Sequence, residues 1–89
     1  MAYEREAAVL REFGRVSRGL RAVLAQMDKE DRLILEKMFL NPKYGNLDSL
    51  CEILGVEKTT VYRRRDRALG RFARLWNDWE WESGWEMGR

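Results

Sequence analysis

Leu47-Asp48-Ser49-Leu50-Cys51-Glu52-Ile53-Leu54-Gly55-Val56-Glu57-Lys58-Thr59-Thr60-Val61-Tyr62-Arg63-Arg64-Arg65 is the stretch on which the fold turns. Leu47, Leu50, Cys51 and Leu54 recur at the three- and four-residue spacing that lines one face of a helix. Gly55 follows where a helix C-cap calls for positive φ, which glycine adopts without steric cost. Val56 is an apolar plug behind the turn, and Val61 is an inward anchor early in a helix beginning at Lys58. Cys51 is small enough for a second helix to cross close by. These four requirements, met at compatible spacings, predict a helix-turn-helix arrangement over residues 47–75, with helices over 47–54 and 58 to about 76.

Outward from that stretch the pattern stays helical. Val9, Leu10, Phe13, Val16, Leu20, Val23, Leu24 and Met27 form one wide apolar stripe, which predicts a long N-terminal helix from about Tyr3 to Met27. Gly14 and Gly19 weaken it locally, by up to about 1 kcal/mol each. Asp28 reads as the N-cap of a helix over Lys29–Leu40, with Glu30 and Asp31 at the positive end of its dipole. Leu33, Ile34, Lys37, Met38 and Phe39 are expected on its inner side. The chain's one proline, Pro42, ends that helix before Asn41, and residues 41–46 read as a turn. No stretch reads as a strand. The expected fold is all-α: a single small domain over 1–76 followed by an acidic, Trp-rich tail over 77–89.

Composition limits the function. The 89 residues are 45% hydrophobic and 36% charged, enough for one small core and a well-solvated surface. Histidine is absent and Cys51 is the only cysteine. The commonest metal ligand and the usual neutral-pH base are therefore missing, and no intramolecular disulfide can form. There is no Gly-rich phosphate loop and no nucleophile beside a plausible base. An enzyme is not expected, nor a metal or other cofactor. With no basic-apolar leader and no membrane-length apolar run, the expected setting is a reducing cytoplasm.

Net charge is only +2, but it is unevenly distributed. Between Gly55 and Leu75 seven basic residues (Lys58, Arg63, Arg64, Arg65, Arg67, Arg71, Arg74) face two acids, Glu57 and Asp66, a balance of +5. From Trp76 to Arg89 the balance is −3. A basic helix placed directly after a tight turn suits a polyanion.

Val56-Glu57-Lys58-Thr59-Thr60-Val61-Tyr62, continuing through Ala68-Leu69, resembles region 4 of the sigma-70 family of RNA polymerase factors. It resembles more closely the small sigma-like regulators of phages and prophages, including the ArpU type. Leu24-Ala25-Gln26-Met27-Asp28-Lys29-Glu30-Asp31-Arg32-Leu33-Ile34-Leu35 is similar to the helix preceding the motif in that family, so the resemblance covers roughly residues 20–75. It implies a helical domain whose last helix lies in the major groove of double-stranded DNA. Arg64 stands where the family usually has an aliphatic residue, and Glu57 where a Ser or Thr cap is common. These 89 residues have no room for the promoter-opening region, so a complete sigma factor is not expected. A transcription regulator is.

On a helical wheel Val61, Ala68 and Phe72 centre the inward face of the last helix, extended by Leu75 and Trp76. Thr59, Arg63, Asp66 and Arg67 lie opposite, with Tyr62 and Thr60 at the borders. The N-terminal half of such a helix reaches base edges, so Lys58, Thr59, Tyr62 and Arg63 are the expected base contacts. Thr60, Arg64, Arg67, Arg71 and Arg74 are the expected phosphate contacts. Arg65, or Arg64 beside it, is placed to lay its stem across the core. Asp66 is expected to pair with Arg63 or Arg67.

Two segments leave alternatives open. The N-terminal stripe serves either as a core helix or as a homodimer surface matching a two-fold DNA site. In the tail, Trp76 and Trp79 continue the face begun by Phe72, whereas Trp81 and Trp85 do not. Three roles fit the tail: closing the core and then fraying, docking a partner such as RNA polymerase, or folding its acids back over the basic helix. The second is the alternative function, a protein-interaction module.

Overall fold

The structure, a computed structural model, describes residues 3–79. Five α-helices account for most of them: α1 Glu4–Phe13, α2 Arg18–Ala25, α3 Lys29–Leu35, α4 Asn46–Leu54 and α5 Lys58–Trp79. The fold is all-α, and among the described residues there is no strand.

The N-terminal stripe is two helices rather than one. α1 ends at Gly14, and the chain turns through Ser17, whose extended backbone starts α2 while its hydroxyl accepts from the Leu20 amide at 3.2 Å. A serine N-cap of this kind satisfies an amide that a continuous helix would have bonded to its own backbone. The break turns Phe13 and Val16 outward, at 51% and 76% exposure. The apolar spacing ran unbroken across the segment and hid the interruption. The rest of the stripe is spent inside the molecule: Leu10, Leu20, Val23, Leu24 and Met27 are buried, against Leu35, Phe39, Ala68, Leu69 and Phe72.

α3 begins after Asp28, but the Asp28 side chain makes no capping hydrogen bond. Its carboxylate instead lies 4.0 Å from the Arg71 guanidinium. Beyond Leu35 the helix widens into a π-helical turn, Glu36–Leu40, closed by the Asn41 amide donating to the Glu36 carbonyl at 2.8 Å. Leu35 and Phe39, one turn apart, both lie in the core. The chain stops being helical at Asn41, as Pro42 requires. Asn46 then clamps the loop: its amide donates to the carbonyls of Lys37 (2.8 Å) and Asn41 (3.0 Å).

α4 and α5 are joined by the short turn Gly55–Glu57. Gly55 has φ 67°, the left-handed value expected of it, and the Val56 amide bonds back to the Cys51 carbonyl. A small second core of Ile34, Leu50 and Val61 lies here, packed by Leu47, Cys51, Leu54 and Val56. Met38 packs against both this core and the larger one. α5 runs three residues past the expected end, to Trp79, so the domain boundary drawn at residue 76 falls inside a helix. The extension is held by aromatic stacking: Phe72 on Trp76, with centroids 6.3 Å apart, and Trp76 on Trp79 at 5.1 Å. Trp79 also fills the space that Gly19 leaves, since a Cβ there would lie 2.5 Å from its ring. Trp81 and Trp85 lie outside the described residues.

Candidate nucleic-acid interface

α5 is anchored along one side and open along the other. Val61, Ala68, Leu69, Phe72 and Ala73 are buried. On the open side, Lys58, Thr59, Tyr62, Arg63, Arg67 and Arg74 are exposed, and Thr60 is half-buried. The four expected base-contacting residues thus share the solvent-facing side of the first two turns. Lys58 approaches Asp48 of α4 at 3.6 Å, with both side chains well exposed; such a pair contributes little and separates readily. Tyr62 is 40% exposed, and the Arg65 guanidinium lies 5.0 Å from its ring centroid. A guanidinium over the ring face at this distance is a favourable cation–π contact.

The basic residues divide into two groups. Arg63, Arg67 and Arg74 have no acidic partner within ion-pair distance among the described residues. The others are engaged within the chain. Arg65 donates from both Nε and Nη2 to Asp66, at 2.9 and 2.8 Å, so Asp66 pairs with its neighbour rather than with Arg63 or Arg67. Arg65 lies low on the core side, with its side chain only 19% exposed, and both of its bonds go to this sequence neighbour. Arg64 donates to Glu30 at 2.9 Å. Arg71 donates to Asp31 at 2.6 Å, with Asp31 itself 4% exposed.

Two of the five expected phosphate contacts, Arg64 and Arg71, are therefore tied to α3. They stand seven residues apart, two turns on one face of α5, opposite the adjacent acids Glu30 and Asp31. The hydrogen bond that Arg71 donates to Asp31, and then the charge of Asp31, raise the Arg71 guanidinium above its ordinary pKa. These contacts fix how α5 sits on α3, a role beyond the one the sequence offers for Glu30 and Asp31, at the positive end of the α3 dipole. One signal did point inward: Asp31 precedes the buried Leu35 by one helical turn.

Chemically, the open face is an array of guanidinium, ammonium and hydroxyl donors on a rigid rod. It suits recognition of an anionic, hydrogen-bond-accepting partner. Among the described residues no group of three or more Cys, Asp or Glu side chains is placed to hold a metal ion, and no helix is long and apolar enough to cross a membrane. Compared with known protein families, curated proteins and solved structures, the chain gives no match.

Proposed function

We propose that the chain binds double-stranded DNA through α4, the Gly55 turn and α5, acting as a helix-turn-helix, and that it regulates transcription in a bacterial or phage setting. The observation that carries this reading is the division of α5. Its inward side is locked by Val61 and by ion pairs to α3, while its N-terminal outward side presents Lys58, Thr59, Tyr62 and Arg63 together. A recognition helix needs that combination of fixed seating and free donors. In this reading Arg63 pairs with the O6 and N7 edge of guanine. Thr60, Arg67 and Arg74 contact phosphates, giving affinity without sequence information. Arg64 and Arg71 act first as supports for α5, and reach phosphates only through whatever part of each guanidinium the acids leave open.

A selection for the preferred duplex, followed by binding of that duplex to Arg63→Ala, tests the base-reading assignment. Loss of about 1–3 kcal/mol of discrimination at one base pair is expected. Equal affinity of wild type and variant for the selected site would remove Arg63 from base readout.

A further inference from the structure

A furrow lined by no residue of α5 has a composition that matches the chain's own C-terminal residues. Between α2 and the π-helical turn runs a depression lined by Arg21, Leu24, Ala25, Arg32, Glu36 and Leu40. It is continuous, through Arg21, Glu36 and Leu40, with a second depression that adds Arg15. The floor is aliphatic. The rim carries three arginines against one acid, and none of the three has an ion-pair partner among the described residues. A groove of this kind takes a segment that alternates apolar bulk with negative charge.

Glu80-Trp81-Glu82-Ser83-Gly84-Trp85-Glu86 has that alternation, and it follows Trp79, which packs on α2, the helix that forms one wall of the furrow. Trp79 is seated on Gly19, in the first turn of α2. From there Arg21 and Ala25 lie within about 9 Å along the α2 axis, on the helix side turned away from α5. Passing around one helix requires roughly 15 Å, since a helix with its side chains is about 10 Å across. Residues 80–86 span up to about 23 Å when extended, enough to reach the furrow. Along the same helix, Lys58 is about 31 Å and Arg63 about 24 Å from Trp79, at or beyond the extended reach of residues 80–86. We infer that residues 80–86 dock in the α2 furrow of the same chain, with Trp85 on Leu24 and Leu40 and the neighbouring Glu86 on the arginine rim. The acidic segment is thereby held away from the open face of α5. This docking does not depend on whether that face binds DNA.

The test is a nitroxide spin label on Ser83→Cys in the full chain, with Cys51→Ala (or Cys51→Ser, should the first destabilise the fold), read by amide line broadening in nuclear magnetic resonance. Strong broadening at Arg15, Arg21, Ala25 and Leu40, reduced severalfold by Arg21→Glu or by about 1 M salt, is the expected result. Broadening centred on Lys58–Arg63 would overturn the proposal in favour of tail acids covering α5. Weak, uniform broadening would overturn it in favour of an unattached segment. Broadening that appears only between labelled and isotope-enriched copies mixed together would show that a second chain's tail fills the furrow, and would overturn docking within one chain.

Discussion

Individual residues here often do something other than their type suggests. Gly19 lowers helix propensity, so Gly19→Ala would stabilise an isolated helix by up to about 1 kcal/mol. In this fold its Cβ would meet the Trp79 ring at 2.5 Å, so the substitution is expected to destabilise by about 1–3 kcal/mol. Urea unfolding, followed by tryptophan fluorescence, reads both the loss and the displaced ring. Gly55→Ala meets no atom within 4 Å, but it must hold φ 67° with a side chain. The expected cost is about 1–2 kcal/mol, all from the backbone. Arg71→Ala leaves the buried Asp31 carboxylate without its hydrogen-bond donor. Its urea midpoint is expected to fall further than that of Arg67→Ala, although both remove one exposed arginine; equal midpoints would mean that the Asp31 pair contributes nothing. A guanidinium raised above its ordinary pKa contributes fully at any pH below that value, and the contribution is lost only as pH rises through the raised one. The Arg71 contribution is therefore expected to be constant from about pH 6 to 9.

At the scale of elements, the legible parts were those with a local chemical signature. Leu47, Leu50, Cys51 and Leu54 packing on one face, Gly55 in the left-handed region, Val56 behind the turn and Val61 inside could each be read from residue type and spacing, and each stands where it was expected. The α1–α2 break was not legible, because the apolar spacing continues across it and the capping signal is a single serine. Nor was the π-helical turn, because no residue type within Glu36–Leu40 signals a widened turn. Asn46 was read only as part of a turn, whereas its amide bridges two carbonyls at the end of that helix. Asn46→Ala removes both bonds and is expected to cost about 1 kcal/mol. It should also speed amide exchange at Asn41, whose bond to Glu36 closes the widened turn. Unchanged exchange at Asn41 would show that the turn holds itself.

At the scale of the whole molecule, the candidate face was more legible than its supports. Which side of α5 looks outward followed from helical periodicity. Which of its arginines are free did not, because the answer depends on Glu30 and Asp31, more than thirty residues upstream. The N-terminal stripe read as a core or a dimer surface is largely consumed within the chain, leaving Phe13 and Val16 as its exposed remainder. What results is a helix seated by two cores and an ion-pair ladder, with its unpaired cations on one side. DNA binding by that side is the central claim, and its most direct test is fluorescence anisotropy with a random duplex across a salt series, comparing wild type with the double variant Arg67→Ala/Arg74→Ala. The account predicts a log affinity that falls linearly with log salt, and a slope shallower by about 2 in the variant, because each phosphate contact contributes about 0.9 to it. Absence of binding at low salt, or the same slope in both proteins, would contradict it.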